Sequence, residues 1–291
     1  MTLSIQDHFA DPILDNLPSR EIDIDNRSNS SELTDYQIDI DVSNHVDKQE
    51  MRFVDENLQI VDYWEEDSDT IWVEIPKIVG NKMSAIRMMR GDVDSASDGD
   101  ATFEFFDDFE YDDDPANHGW TIEHGTYNSN YNTVTDYAKR GSRSLKIYPA
   151  SGQIVSLYRA LSSNNRYACE VDYYETDPTE LSIHTFLHID DVDERLACYD
   201  SDKYRVRYNS NWYTTSTSRS LGWHKLGILR DGTSVYFMVD GTEADSYANS
   251  NNITNSGLYS GSGNSGWDST RYWDSFRVRK YTSPEPTAVI A

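Results

Sequence analysis

Glu170-Val171-Asp172-Tyr173-Tyr174-Glu175 is the stretch whose residue types and spacing come nearest to a catalytic set. Two carboxyl groups held ~5–5.5 Å apart can share nucleophilic and acid/base duty at a glycosidic bond, here with Glu170, Asp172 and Glu175 as the participants. The element that carries them decides whether they can. The residues read as a strand, where side chains alternate, so Glu170 and Glu175 face opposite ways unless a bulge intervenes. A near-match, Glu21-Ile22-Asp23-Ile24-Asp25, shows how readily so acidic a chain produces the pattern. His184 and His188 are four apart; on a strand they share a face at about 13 Å, too far for one metal ion, and read as satisfied surface histidines. Asp112-Asp113-Asp114 lacks the glycine spacing of an EF-hand and reads as a solvated loop. There is no glycine-rich phosphate loop, no Gly-x-Ser-x-Gly elbow and no Cys/His zinc spacing. Cys169 and Cys198 adjoin Ala168 and Ala197 and read as two buried thiols, with a single bridge as the alternative.

A second chemistry is available to the aromatic residues. Sugar binding needs flat apolar faces beside hydrogen-bonding groups, which Tyr and Trp next to Asn, Asp and Arg provide. Three loop clusters fit: Tyr127-Asn128-Ser129-Asn130-Tyr131-Asn132, Asn209-Ser210-Asn211-Trp212-Tyr213 and Gly263-Asn264-Ser265-Gly266-Trp267-Asp268. Tyr127, Tyr131, Trp212, Tyr213 and Trp267 are therefore the candidate ligand-binding residues. The competing reading is that each ring plugs an edge of its own domain. Loops rich in Tyr, Ser, Gly and Asn also suit a protein surface, so the ligand is a glycan or a glycoprotein.

The elements that would position these residues are strands. Apolar and polar residues alternate in Tyr36-Gln37-Ile38-Asp39-Ile40-Asp41-Val42, in Thr70–Ile75 and in Ser182–Ile189. Asp231-Gly232 separates Trp223–Leu229 from Val235–Val239, a hairpin signal. Helical periodicity is nearly absent. The spacing of short strands and turn residues predicts an all-β chain of two tandem β-sandwich domains. The turn-rich stretch Gly91–Ala101 marks the boundary, and charge shifts near it. Residues 1–106 hold 25 acidic and 8 basic residues, and 107–291 hold 26 and 17. The expected organisation is an N-terminal arm over 1–19, sandwiches over 20–103 and 104–283, and an extended, proline-bearing tail over 284–291.

Charge excludes some functions. With 51 Asp and Glu against 25 Lys and Arg, the formal charge of −26 opposes binding to phosphate backbones or anionic lipid. No apolar run approaches the ~18 residues of a membrane span, so no membrane insertion is expected. With 7 Trp, 20 Tyr and 9 Phe, disorder is not expected either. The acid excess, split 35 Asp to 16 Glu, with only 8 Lys, suits a protein from molar salt, where repulsion between carboxylates is screened. The opening Met1-Thr2-Leu3-Ser4-Ile5-Gln6-Asp7-His8 has neither the basic nor the apolar region of a secretion signal.

Several stretches resemble a known family. Phe106-Asp107-Asp108-Phe109-Glu110, Trp223–Ile228 followed by Val235–Gly241, and Tyr272–Arg279 resemble, in that order, the opening strand, central hairpin and closing strand of a concanavalin-A-like lectin or laminin-G-like module. Gly119-Trp120 and Gly141–Ile147 also occur in jelly-roll carbohydrate-binding modules. Residues 20–106 are similar to a domain of unknown function that precedes such modules in archaeal surface proteins, through Arg20–Asn26, Met51–Asp55, Ile71–Pro76 and Asp98–Phe103. The resemblance implies a concanavalin-A-like jelly roll for the second domain. It also implies a structural calcium ion held by Glu110 and Asp274, with backbone carbonyls completing an oxygen shell. Retaining glucanases of the same sandwich fold use a Glu-x-Asp-x-x-Glu strand, which Glu170, Asp172 and Glu175 match, but a glucanase cleft needs longer aromatic loops.

The reading that follows is non-enzymatic: a recognition or attachment protein binding host cell-surface glycans or glycoproteins. A surface module without an export signal points to a virion surface protein of an archaeal virus, as tail fibre, spike or capsid turret. It would then be homo-oligomeric and in contact with other virion structural proteins. A decoration protein without receptor binding, a secreted or cell-surface adhesin, and a retaining hydrolase are the alternatives.

Overall fold

The computed structural model describes residues 19–44, 51–90, 97–180, 184–189, 194–199, 201–261 and 270–291. Its regular structure is strand apart from two single turns, as the alternation implied. The chain divides into one unit running to Phe103 that takes back Pro284–Ala291, and a second unit of Glu104–Ser283.

The first unit holds β1 (Ser19–Asp25), β2 (Leu33–Asp41), β3 (Met51–Val54), β4 (Ile60–Val61), β5 (Tyr63–Glu65), β6 (Thr70–Ile78) and β7 (Met83–Arg90). A single helical turn, Gly99–Thr102, follows. Asp98 caps it by accepting from the Ala101 amide at 3.1 Å. The second unit holds β8 (Phe105–Asp107), β9 (Thr121–His124), β10 (Tyr131–Val134), β11 (Ser144–Ile147), β12 (Ile154–Asn164), β13 (Tyr167–Glu175), β14 (His184–Ile189) and β15 (Glu194–Tyr199). It continues with β16 (Lys203–Tyr208), β17 (Asn211–Ser218), β18 (Gly222–Arg230), β19 (Ser234–Val239), β20 (Thr242–Ala248), β21 (Ile253–Gly261) and β22 (Arg271–Lys280). The last strand, β23 (Thr287–Ile290), belongs to the first unit.

In the first unit, a sheet ordered β23-β1-β7-β3-β4 faces one ordered β2-β6-β5. Alternation supplies the core between them: Ile22 and Ile24 of β1, Ile38 and Ile40 of β2, and Ile71, Val73 and Ile75 of β6 are all buried. The stretch 284–291 is not a detached tail. Pro284 and Pro286 keep it extended, and Ile22 then pairs with Ile290 and Asp25 with Thr287. Ala288 and Ile290 close one end of this core.

In the second unit, a sheet ordered β10-β11-β22-β13-β18-β19-β20, with β8 also on β22, packs on a sheet ordered β17-β16-β15-β14-β21-β12-β9. The chain crosses repeatedly between these layers, in the manner of a jelly roll. Cys169, Val171 and Tyr173 of β13, Leu226 and Ile228 of β18, Leu187 and Ile189 of β14, Leu196 of β15 and Leu258 of β21 point into the shared core. Burying each such side chain contributes about 1.5–3 kcal/mol. Cys169 and Cys198 are both buried and are not bridged to each other, and burial pushes the Cys198 thiol up to about 12. Asp107 ties the opening strand to the core, accepting from Trp120 Nε1 at 2.6 Å, the Phe109 amide at 2.7 Å and the Tyr111 hydroxyl at 2.9 Å.

Candidate functional site

The strand carrying Glu170 and Glu175 keeps its alternation. β13 runs against β18 in unbroken register from Ala168 opposite Leu229 to Glu175 opposite Gly222. There is a bulge beside it, but in β22. The register shifts between Glu170 opposite Arg277 and Asp172 opposite Asp274, and Ser275 takes up the extra residue with φ +50°. Glu170 and Glu175 therefore stay on opposite faces. Glu170 lies outside, accepting from Arg277 Nε at 2.8 Å and Arg279 Nε at 3.1 Å. Burial would raise this carboxyl, but the two guanidinium groups hold it well below the usual range. Glu175 lies inside the sandwich, accepting from Arg219 Nε at 2.8 Å and from the Tyr173 hydroxyl at 3.2 Å. Its other oxygen is 3.6 Å from Arg271. Asp172 is on the outer face, paired with Arg140.

Glu110 and Asp274 do not build an oxygen shell. Glu110 Oε1 accepts from the Ser142 and Arg143 amides, both at 2.7 Å, and its Oε2 from the Ser142 hydroxyl at 2.7 Å. Asp274 Oδ2 accepts from the Lys139 amide at 2.7 Å and the Arg140 amide at 3.1 Å, and its Oδ1 from the Ser275 hydroxyl. Hydrogen-bond donors stand where a cation would need lone pairs, so these residues do not fit the calcium ion that the resemblance implied. Among the described residues, no group of three or more His, Cys, Asp or Glu is placed to hold a metal ion.

The aromatic candidates separate. Tyr131 is buried in the core, and half-buried Tyr127 packs against it with ring centres 6.0 Å apart. Tyr213 ends a column of rings at the sandwich edge, stacked 4.3 Å from Tyr208, which stacks 4.2 Å from Tyr247. Trp267 lies outside the described residues. Trp212 is different, because it belongs to a surface assembled from several strands.

That surface is the outer face of the sheet containing β14. Since Leu187 and Ile189 of β14, Leu196 of β15, and Tyr204 and Val206 of β16 face the core, the alternate residues face away. Register then lines them up in two rows. One runs His188, Arg195, Arg207, Trp212, and the other Tyr259, Phe186, Ala197, Arg205. Phe186 and Tyr259 stack with centroids 4.3 Å apart and planes 10° from parallel. The Arg195 guanidinium lies 4.4 Å from the Phe186 ring centre, 5.8 Å from Trp212 and 6.0 Å from Tyr259. Arg205 lies 5.5 Å from Trp212. His184 meets the Tyr259 ring edge-on at 5.3 Å and has Nδ1 2.9 Å from the Gly261 carbonyl oxygen. The small Ala197 sits buried between Phe186 and Arg205, so nothing there lifts the rings off the sheet.

His184 and His188 share this face, but His188 is not a satisfied surface histidine. It is 2% exposed, and among the described residues neither ring nitrogen has a hydrogen-bond partner. Burial, then Arg195, pushes its pKa down to about 3, and the same causes push His184 down to about 4. Both rings are neutral at neutral pH. Glu194 is the only acidic residue within β14–β17, and it points inward, accepting from Arg230 Nη2 at 2.6 Å and Nε at 3.0 Å. No carboxylate from these four strands faces outward, so they offer rings, guanidinium groups and imidazoles, but no acid/base pair.

A loop motif marks only Trp212 of this assembly. Phe186, Arg195 and Tyr259 come from strands far apart in sequence, and each looks like an ordinary strand residue until the register is known. The available signal was parity: His184-Thr185-Phe186-Leu187-His188 places three ring-bearing residues on one face.

Comparison with known proteins gives a domain of unknown function (DUF2341) matching residues 47–123. No curated protein matches. Among solved structures, the chain is similar to a sialidase (TM-score 0.44, 10% identity), covering 72% of this chain and 21% of that one. The chain thus spans about a fifth of the sialidase. It is also similar to a non-specific endo-β-1,3(4)-glucanase of glycoside hydrolase family 16 (TM-score 0.43, 12% identity), covering 60% of this chain and 89% of that one. A third likeness is to a cellulose-induced protein (TM-score 0.44, 15% identity), covering 60% of this chain and 96% of that one.

Proposed function

We propose that this protein is a non-enzymatic glycan-recognition protein that binds sugar on the outer face of β14–β17, and that it serves attachment at a virion surface. The observation that carries the binding part is the grouping of Phe186, Tyr259 and Trp212 around the Arg195 guanidinium on a face whose four strands present no carboxylate. Half-buried Trp212 and Tyr259 are the rings that a pyranose could stack on, with the fully buried Phe186 supporting them from beneath, and a guanidinium can donate to its oxygens. Hydrolysis by the usual route needs two carboxyl groups facing one bond, and the parity of β13 separates Glu170 from Glu175.

The test is affinity electrophoresis of the full chain through gels containing soluble polysaccharides, with Trp212→Ala beside the unaltered protein. Retardation that Trp212→Ala abolishes, with its thermal midpoint within a few degrees of the parent, is the expected result. Tyr213→Ala, at the sandwich edge, should migrate like the parent. A parent chain retarded by no polysaccharide, or retarded equally after Trp212→Ala, overturns the assignment. Release of reducing sugar by the parent chain, lost in Glu170→Gln, would restore a hydrolase. For the setting, mass spectrometry of purified virus particles should find the chain among their structural proteins.

A further inference from the structure

We propose that the second unit carries a second saccharide-binding face, on the outer side of β11, β22, β13 and β18, so that one chain holds two neutral glycan strands at once. The residues and the sheet differ from those of the reading above. Bridging rests on that reading, because it needs both faces.

The first ground is a row of rings that the core does not use. Leu145 of β11, Trp273 of β22, Cys169, Val171 and Tyr173 of β13, and Leu226 and Ile228 of β18 point inward. Lys146, Tyr272, Tyr174 and Trp223 therefore point outward. Register sets these four side by side: Lys146 opposite Tyr272, Tyr272 opposite Tyr174, and Tyr174 opposite Trp223. The row crosses four neighbouring strands, about 14 Å at the usual spacing. Tyr137, from the connection between β10 and β11, packs across it, with ring centres 4.5 Å from Tyr174 and 4.6 Å from Tyr272. Trp223 meets Tyr174 edge-on at 5.3 Å. Tyr137 is 40% exposed, Tyr174 and Trp223 are half-buried, and Tyr272 is buried. Tyr137, Tyr174 and Trp223 are thus the rings that a sugar can reach, with Tyr272 supporting them.

The second ground is the polar tips of these rings. Among the described residues, the hydroxyls of Tyr137, Tyr174 and Tyr272 and the indole N–H of Trp223 have no hydrogen-bond partner and are not shut off from water. Each can donate to a sugar oxygen, and the hydroxyls can also accept. An apolar partner pressed onto the row would leave these groups unsatisfied, whereas a saccharide matches them.

The third ground is charge. Although the chain carries −26, charges beside the rings stand in opposite pairs. Lys146 Nζ lies 5.8 Å from the Tyr272 ring centre, with Asp136 Oδ2 at 3.8 Å. Asp172, the next outward residue of β13, is paired with Arg140. Stacking and hydrogen bonding, not attraction between ions, then select the ligand, and Lys146 and Asp136 add a donor and an acceptor.

The planes of Tyr137 and Tyr174, Tyr137 and Tyr272, and Tyr174 and Trp223 are 32°, 52° and 67° apart. No continuous flat ledge forms, so this face binds more weakly than the first and does not retard the chain by itself. Its effect is linkage, because binding faces on the two sheets of one sandwich join two polymer strands.

The experiment titrates the full chain into dextran, galactomannan, soluble starch and hydroxyethyl cellulose, all neutral, and reads bridging as a rise in light scattering. Parent, Trp223→Ala, Tyr137→Ala and Trp212→Ala are compared. Each is also measured by gel retardation, thermal midpoint and sedimentation without polymer. The parent should raise the scattering of a polymer that retards it several-fold. Trp223→Ala and Tyr137→Ala should lose bridging and keep retardation, and Trp212→Ala should lose both. Tyr137 lies on an exposed connection, so its variant separates loss of binding from loss of fold. Retardation without bridging by the parent overturns the second face and leaves the first standing. Bridging that survives both Trp223→Ala and Tyr137→Ala also overturns it. A parent that sediments as a dimer, and as a monomer after Trp223→Ala, makes the row a contact between copies and overturns the inference as well. Retardation lost in Trp223→Ala but kept in Trp212→Ala supports sugar binding here and overturns the β14–β17 assignment. Binding to no polymer overturns both.

Discussion

Asp274 and Glu110 hold the two ends of one turn. Asp274 Oδ2 accepts from the amides of Lys139 and Arg140 at 2.7 and 3.1 Å, and Glu110 Oε1 from those of Ser142 and Arg143, both at 2.7 Å. Between these anchors Gly141 takes φ +58°, and a Cβ there would sit 2.4 Å from Glu110 Oε1. By these hydrogen bonds the two carboxylates fix the connection through residues 139–143 against β22 and the segment that follows β8.

Calcium should therefore leave stability unaltered. Thermal midpoints measured after exhaustive chelation and again in millimolar calcium are expected to agree. A calcium-dependent rise of several degrees, abolished by Asp274→Asn, would contradict this account. Gly141→Ala should be costly by about 1–3 kcal/mol, through both its left-handed backbone and its contact with Glu110. On a chain of this size that lowers the midpoint by several degrees.

Glu175 should matter for folding and not for catalysis. It is buried with Arg219, and both side chains are 0% exposed. Glu175→Gln leaves the Arg219 charge uncompensated in the core, which costs about 3 kcal/mol or more. Urea unfolding should show the loss directly. Glu170→Gln, on the outer face with Arg277 and Arg279, should cost less, because the Glu170 side chain keeps 12% exposure where Glu175 has none. Equal destabilisation by the two changes would contradict the burial argument.

Tyr213 and Trp212 are adjacent but should behave differently. Tyr213 stacks on Tyr208 at 4.3 Å with planes 14° apart, on the side of β17 that closes the sandwich edge. Tyr213→Ala should cost about 1–2 kcal/mol of stability, with polysaccharide retardation unchanged. Retardation lost in Tyr213→Ala at intact stability would move the binding surface to the edge column.

Salt should stabilise the chain. At a formal charge of −26, folding brings like charges together. Raising NaCl from about 0.1 M to 1 M shortens the screening length from about 10 Å to about 3 Å. The thermal midpoint is expected to rise across that range, and a flat or falling midpoint would remove the high-salt reading of the composition.

The strands were legible because their signals are local. The alternation in Tyr36–Val42 became β2, with Tyr36, Ile38 and Ile40 buried. Asp231-Gly232 became the turn between β18 and β19. What lay beyond the sequence was non-local. The bulge at Ser275 sits in β22, while the motif that raised the question sits in β13. Nothing in the Glu170–Glu175 spacing says which partner strand absorbs the extra residue. Glu110 and Asp274 were recognisable as carboxylates with a tying role. That backbone amides satisfy them follows only from where residues 139–143 come to lie. The binding face depends on the register of β14, β15, β16, β17 and β21, so a loop search met its edge at Trp212 and missed Phe186, Arg195 and Tyr259.

Stability should fall on the acid side of neutrality, and His188 should account for part of the fall. The folded state holds its pKa at about 3, through burial and then Arg195, against 6.5 for an ordinary histidine. Between those values the unfolded chain binds a proton that the folded chain refuses, so unfolding is favoured as pH drops. The contribution is fully present above pH 6.5 and is lost progressively as pH falls toward 3. For one such group the slope approaches about 1.4 kcal/mol per pH unit within the window. His188→Leu removes the group while keeping an apolar side chain beside Phe186. Urea midpoints at pH 7, 5 and 4 should decline less steeply in this variant than in the parent, in which the carboxylates also titrate. Parallel declines in the two proteins would mean that His188 takes up its proton in the folded state, against the geometry that leaves both its ring nitrogens buried.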